Sequence, residues 1–272
     1  GSVVGLSAMS LGLLLENRWP PLVALALVLA GSASIGLIHG LLVTRLRLQP
    51  FIVTLCGLFI YRGLAQMLPM IDFAALLPWH WGDTVLAGSS RNVSLGGRPD
   101  LASFRFIATG DVLGVPMVFL LLLLLAGVAA LILHFSVYGR YLYALGYNEQ
   151  AARYAGIATD RYKVLAYVWC SLMAGLGGSL FLLTLNGATP STTGAWYELY
   201  AITGAVLGGC SLRGGQGMVV GMLLGTVVLR LLPNLVNFAG IPSDLEPTVI
   251  GVALLMGTIA DEMLKRKGAK RV

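Results

Sequence analysis

The chain is built from long apolar runs separated by short polar stretches. The clearest run is 112–133, in which every residue is apolar, Gly or Pro. At 1.5 Å per residue it is about 33 Å long as a helix, enough to cross a bilayer core. Further runs at 22–43, 51–68, 164–185, 217–232 and 247–263 predict additional spans. Two shorter runs, 3–15 and 200–209, reach only about 20 Å and 15 Å as helices. They are too short to cross alone, which predicts broken or re-entrant helices. Unbroken runs also argue against a membrane β-barrel, whose strands alternate apolar and polar positions.

Composition agrees with this pattern. Of 272 residues, 57% are hydrophobic and 11% charged, where a soluble domain carries about 25% charged. So few charges cannot cover a water-exposed surface. Low hydrophobicity and high charge, the signature of disorder, are both absent. The expected fold class is therefore all-α, a polytopic helical membrane protein forming one transmembrane domain over 1–272.

The net charge of +6 is unevenly placed and gives no argument for nucleic acid. Arg45 and Arg47 share one loop; Arg140, Arg153, Arg161 and Lys163 share a second; Lys265, Arg266, Lys267, Lys270 and Arg271 lie in the tail. Assigning these regions to the cytoplasm follows the positive-inside rule. It makes 69–112, 186–199 and 233–246 external, and 134–163 a cytoplasmic loop. Arg62 and Arg230 then sit near the outer ends of their spans, to snorkel or to line a pathway. Cys56, Cys170 and Cys210 form no CxxC pair, so buried packing is expected rather than a disulfide or zinc site. Gly1-Ser-Val-Val-Gly5 is echoed by Gly217-Met-Val-Val-Gly221, and Leu48-Gln-Pro50 by Leu245-Glu-Pro247. Such echoes fit an internal repeat of the kind transporters carry.

Two polar stretches stand apart. In 139–163, Asn148 is placed to cap a short helix with Glu149 in its first turn, and Gly156 to end it. Ala151, Ala152 and Ala155 give that helix a small-residue face, with Glu149 and Arg153 at its margin. It lacks the bulky apolar face of a lipid-surface anchor, so docking to a cytoplasmic partner is expected, with a helix lying on membrane lipid as the alternative. The second stretch, 186–217, is rich in glycine and includes Gly208-Gly209 and Gly214-Gly215 around Cys-Ser-Leu-Arg. Irregular backbone at membrane depth survives only where protein buries it or it lines a watery cavity. Gly217, Gly221 and Gly225 continue as a four-spaced stripe suited to helix packing.

The chain has no P-loop, HExxH or GxSxG pattern. His39, His80 and His134 fit no metal spacing. No catalytic residue, metal or cofactor is expected, and the chain cannot use ATP alone. Asn92-Val-Ser94 matches a glycosylation sequon.

At the two polar stretches the sequence resembles the permease subunits of bacterial ATP-binding-cassette importers for ribose, xylose, galactose and autoinducer-2. The residues carrying the resemblance are Gly139-Arg140, Tyr143-Ala-Leu-Gly146, Asn148-Glu149, Ala151-Ala-Arg153, Gly156-Ile157 and Lys163. They continue through Pro190, Gly194, Glu198-Leu199, Ala201-Ile202, Gly208-Gly209, Ser211-Leu212, Gly214-Gly215 and Gly217. Weaker echoes are Gln49-Pro-Phe51, Thr54-Leu55 and Arg62-Gly63. The opening resembles the segment after the family's Asp-Leu-Ser-Val motif, which implies an N-terminally incomplete permease. Tyr147 stands where the family commonly has Gly, Tyr200 where it often has Asp, and Cys210 where it often has Thr.

The resemblance implies a type II importer-like permease of the bacterial inner membrane. A second permease chain, identical or a sister, completes the pathway. Separate ATPase subunits supply the energy, and a periplasmic substrate-binding protein delivers substrate to 69–112 and 186–199. It implies an ATPase-coupling segment of Gly146, Asn148, Glu149, Ala151, Ala152, Arg153 and Gly156. It also suggests a substrate pathway of Asn186, Ser191, Thr192, Glu198, Gly208, Gly209, Ser211, Gly214 and Gly215 for a simple sugar such as ribose. A permease for branched-chain amino acids or nucleosides is the alternative. A membrane-embedded enzyme would need clustered acids or a His pair, and a passive channel would need no coupling helix.

Overall fold

In the computed structural model the described residues are 1–70, 92–96, 101–112, 114–212, 214–238, 248, 251–252, 255–257 and 259. Expectations for His80, for most of the loops 69–112 and 233–246, for much of 247–263 and for the basic tail fall outside them. Ten helices are described: α1 (Ser2–Glu16), α2 (Pro21–Thr44), α3 (Pro50–Met67), α4 (Ala102–Thr109), α5 (Met117–Ala130), α6 (Val137–Tyr147), α7 (Glu149–Tyr154), α8 (Thr159–Leu185), α9 (Tyr197–Leu207) and α10 (Val219–Phe238). Four short strands pair as β1 (Val93–Ser94) with β4 (Gly187–Ala188) and β2 (Asp111–Val112) with β3 (Val115–Pro116), both antiparallel. Among the described residues, four helical stretches are long and apolar enough to cross a membrane: Pro21–Thr44, Pro50–Met70, Met117–Phe135 and Thr159–Leu185.

Four of the six predicted spans hold with displacements; the run at 217–232 gives an apolar helical stretch shorter than these four, and 247–263 falls largely outside the described residues. The run at 112–133 starts its helix only at Met117, because Asp111–Val112 folds back on Val115–Pro116. Gly114 has φ +79° in that turn, a conformation that glycine adopts without a Cβ penalty. At its far end a π-helical turn, Leu131–Phe135, prolongs the span until Ser136 leaves helical geometry at φ −94°, ψ 158°. The helices α2 and α3 both open on proline at their first position, where the missing N–H would have had no intrahelical partner.

The chain forms two compact units, residues 1–123 with 160–195, and residues 124–159 with 196–272. In the first, the short helix α1 is the core. Ala8, Met9, Leu11, Leu13 and Leu15 are buried among Val93, Leu95, Phe104, Leu182 and Leu183. Fifteen residues make α1 about 22 Å long, so it is enclosed by protein rather than by lipid. The strand pair β1–β4 closes one end of this core, with Val93 facing Ala188 in register.

A small-residue row on α2 meets α8. Ser32, Gly36 and Gly40 recur every four residues and are all buried. A Cβ on Gly36 would lie 2.6 Å from Val168 Cα, and one on Gly40 would lie 2.8 Å from Val164 Cα. Small residues let backbones approach closely where lipid supplies no hydrophobic drive between helices. Behind this seam, His39 is buried with its Nε2 3.2 Å from the Tyr61 hydroxyl. Its ring stands 6.5 Å from that of Tyr167 in an edge-on arrangement.

The cysteines depart from expectation. Cys56 and Cys170 are exposed and Cys210 is partly exposed. Spans turn much of their apolar surface outward, so a thiol on α3 or α8 need not be covered by its own chain. The same reason leaves no buried residue anywhere on α5.

Replacing Gly36 with Leu should cost about 1–3 kcal/mol through overpacking of the α2–α8 seam. Gly127→Leu, whose position faces open space, should cost far less. Thermal unfolding of both purified variants in detergent gives the comparison.

Candidate functional site

The cytoplasmic-loop expectation centres on α7, and its boundaries follow from local chemistry. Asn148 has φ −154° and ψ 104°, so helical geometry breaks at that residue. Its backbone N–H still donates to Ala144 O at 3.1 Å, closing α6. Its Oδ1 accepts from Ala151 N at 3.0 Å, opening α7. One residue is thus C-cap to one helix and N-cap to the next, which leaves no linker between them.

The other end of α7 is equally defined. Ile157 N donates to Ala152 O and Gly156 N to Arg153 O, both at 3.1 Å. With Gly156 at φ +82°, this is the paired-bond C-terminal cap that a glycine in the left-handed region permits. Arg153 then ties the helix together. Its guanidinium lies 3.6 Å from Glu149 Oε1 and donates to Thr159 Oγ1 at 3.3 Å.

Of the three alanines expected on one face, only Ala152 is buried; Ala151 and Ala155 are exposed. Tyr147 and Tyr154 flank them with 82% and 91% of their surface exposed. The outward surface of α7 is therefore low in the middle, with an aromatic ring at either end.

The glycine-rich stretch divides between the two units. Asn186, Ser191 and Thr192 belong to the first. Asn186 has φ +57° where α8 gives way to β4, and its Oδ1 is buried with no hydrogen-bond partner among the described residues. Ser191 and Thr192 are exposed on the following loop. Arg62 holds that loop from α3, donating to Thr193 O at 2.7 Å and Gly194 O at 3.1 Å. Its charge is spent on carbonyls that the turn leaves unpaired, a use more specific than snorkelling.

Glu198, Gly208, Gly209, Ser211, Gly214 and Gly215 belong to the second unit. Each glycine there has a definite backbone role. Gly204 and Gly208 pack flush on Gly225 and Gly221 of α10, which accounts for two glycines of the stripe expected to pack helices; Gly217 lies before α10, against Cys210. Gly209, at φ +83°, ends α9 with bonds from Cys210 N to Ala205 O and from Gly209 N to Val206 O, both 2.9 Å. Ser211 N donates to Gln216 O at 3.1 Å and Gly214 N to Ser211 O at 3.0 Å, closing a turn in which Gly214 and Gly215 have φ +90° and +76°.

That turn abuts α6. Gly146 lies directly against Gly215, and the Tyr143 hydroxyl donates to Gly217 O at 2.7 Å. The Tyr143 ring stacks edge-on with His134 at 6.4 Å. Farther along α10, Arg230 stands 5.9 Å from the ring centroids of both Tyr197 and Tyr200. Sequence reasoning singled out both polar stretches but not the contact between them. Its only signal was glycine in each, and contact across some seventy residues leaves no local pattern. Among the described residues no group of three or more His, Cys, Asp or Glu is placed to hold a metal.

Residues 1–257 match the family described as branched-chain amino acid transport system / permease component. The chain belongs to this family. It is 36% identical over 240 residues to the ribose import permease of Escherichia coli strain K12, covering 88% of this chain and 68% of the relative. It is 31% identical over 261 residues to the ribose import permease of Bacillus subtilis strain 168, covering 96% and 74%. Identity to an autoinducer 2 import system permease of Enterobacter sp. strain 638 is 32% over 272 residues, covering 98% and 71%. No solved structure matches. The chain is thus a permease subunit of an ATP-binding-cassette import system, multi-pass in the inner membrane.

Asn148→Ala should cost about 1 kcal/mol through loss of the side-chain cap, and Gly156→Ala about 1–2 kcal/mol through the left-handed φ. Amide exchange confined to α7 and its flanks measures both.

Burial, and then the charge of Cys210, push the Tyr143 phenol above its ordinary range. The folded state therefore holds this proton more tightly than the unfolded chain. Its contribution is complete below the unfolded value near 10 and is lost as pH rises through the raised folded value. Tyr143→Phe should flatten the alkaline fall in thermal stability relative to the parent.

Proposed function

We propose that this permease translocates a simple, ribose-like monosaccharide across the inner membrane as one transmembrane domain. Separate ATPase subunits dock on α7 from the cytoplasm. A second permease chain, identical or a sister, completes the pathway, and a periplasmic binding protein delivers the sugar. The names of the curated relatives, ribose and autoinducer 2 import permeases, favour this cargo over branched-chain amino acids or nucleosides.

The observation that carries the docking role is the construction of α7. A six-residue helix is capped at both ends, strapped to the start of α8 by Arg153, and otherwise turned outward. Six residues with one buried alanine contribute little core, so so much local definition points to a surface that must keep its shape for a partner. The region carries Arg140, Arg153, Arg161 and Lys163, the basic bias expected of a cytoplasmic loop. Gly146, Asn148 and Gly156 set its frame; Glu149, Ala151, Ala152 and Arg153 form it.

For the pathway, the buried and unpartnered Asn186 Oδ1 supports a polar role, since such an atom is costly unless something bonds it. Ser191 and Thr192 offer exposed hydroxyls, and Glu198 and Ser211 offer polar groups in the other unit. Gly208, Gly209, Gly214 and Gly215 shape the backbone that carries them. Sugar hydroxyls both donate and accept, as the Asn186 amide and the Ser191 and Thr192 hydroxyls of the first unit do.

The exposed Glu149–Arg153 pair itself adds little to folding, but losing Arg153 also releases Thr159, so docking is read with amide exchange of α7 matched to the parent. The double variant Glu149→Ala, Arg153→Ala should lower sugar uptake and its coupling to ATP hydrolysis about tenfold, as loss of ~1.4 kcal/mol of docking energy would. Affinity for the binding protein should not change. Full uptake by the reconstituted double variant would discard the docking role.

A further inference from the structure

The two polar stretches of the second unit meet without an intervening side chain. A Cβ on Gly214 would lie 2.7 Å from Gly146 O, and one on Gly215 would lie 2.9 Å from Tyr147 N. Gly146 is as tightly placed, with the backbone of Gly215 where its own Cβ would be. Beside this backbone contact, the Tyr143 hydroxyl bonds Gly217 O at 2.7 Å. We propose that Tyr143 and Gly146 of α6, with Gly214, Gly215 and Gly217, form a joint that carries movement of α7 into the α9–α10 pair.

The reasoning is mechanical and rests on the reading of α7 as the docking element. Side chains in contact absorb displacement by changing rotamer, whereas backbones in van der Waals contact cannot. Each step from α7 onward lacks such slack. Asn148 is shared between α6 and α7, so those helices have no linker. Gly146 abuts Gly215. The turn 211–216 is closed by two internal hydrogen bonds. Beyond it, Gly208 and Gly204 are flush with Gly221 and Gly225. A displacement imposed on α7 therefore reaches α9 and α10 nearly undiminished. Packed interfaces of this kind shift between discrete arrangements rather than deforming gradually.

Within this scheme Tyr143 and Gly146 are positioning residues. They act by keeping α6 and the turn together. Gly214 and Gly215 then serve transmission, beyond the backbone-shaping role given to them in the pathway.

The test uses the assembled importer, permease with its ATPase subunits and binding protein, in proteoliposomes with radiolabelled ribose as the probe. Tyr143→Phe removes one hydrogen bond and leaves the ring. It should lower ribose imported per ATP hydrolysed by about two- to thirtyfold, the range for altering one element of a coupling network. ATPase subunits should co-purify as with the parent. Gly146→Ala should act in the same direction, and Gly127→Ala, facing open space, should not.

A second measurement does not depend on cargo. Spin labels at the exposed Ala155 and Val227 report the separation of α7 and α10. In the parent complex it should stay constant between nucleotide-free and ATP-bound states, within the ~1–2 Å of ordinary interface shifts. In Gly146→Ala it should vary by more than that. A larger change in the parent overturns the joint, as does an unaltered ribose-to-ATP ratio in both variants when ATPase subunits co-purify. Failure of those subunits to co-purify with the parent overturns the docking reading, and the joint with it.

Discussion

The structure depends on backbones touching backbones. In a bilayer, burying an apolar side chain against another helix gains little over leaving it in lipid, so helices are held by close packing and hydrogen bonds. Glycine and serine at four-residue intervals permit that packing. Ser32, Gly36 and Gly40 seat α2 on α8, and Gly204, Gly208, Gly221 and Gly225 seat α9 on α10. The same device at Gly146 and Gly214–Gly215 joins a polar loop to a glycine turn. Where the contacts are flush, geometry is set by covalent backbone rather than by adaptable side chains.

Polar groups follow a second constraint, that no backbone donor or acceptor stays unpaired away from water. Asn148 meets it by closing one helix and opening another. Gly156 and Gly209 meet it with left-handed caps. Arg62 meets it for the loop after β4, by donating to two successive carbonyls. These solutions leave the breaks between helices as ordered as the helices. In the proposed scheme that order lets α7 receive force from a docked subunit and the adjoining turn pass it on.

Much of this was legible in the residues. Apolar runs located α2 and α3 to within one position, while α8 begins five residues before its run and α10 ends six residues after its own; Asn148 and Gly156 bracketed α7 because caps are local chemistry. The start of α5 was misplaced by five residues: an apolar run does not reveal that Gly114 turns it back on itself. Exposure of Cys56 and Cys170 was also missed, because hydrophobic sequence implies burial in water but not in lipid. The serine-glycine row on α2 was readable as a four-residue period and was overlooked beside the denser glycines farther on.

Fold class, membrane residence, helix caps and family follow from sequence alone, because each depends on composition or on neighbours a few residues apart. Which glycines cap, which pack and which form the turn against α6 was decided only by tertiary structure. So was the pairing of Arg62 with Thr193 and Gly194, and of Tyr143 with Gly217. These partners lie some seventy to one hundred and thirty residues apart. No local period encodes such a separation, since it is set by how whole helices pack.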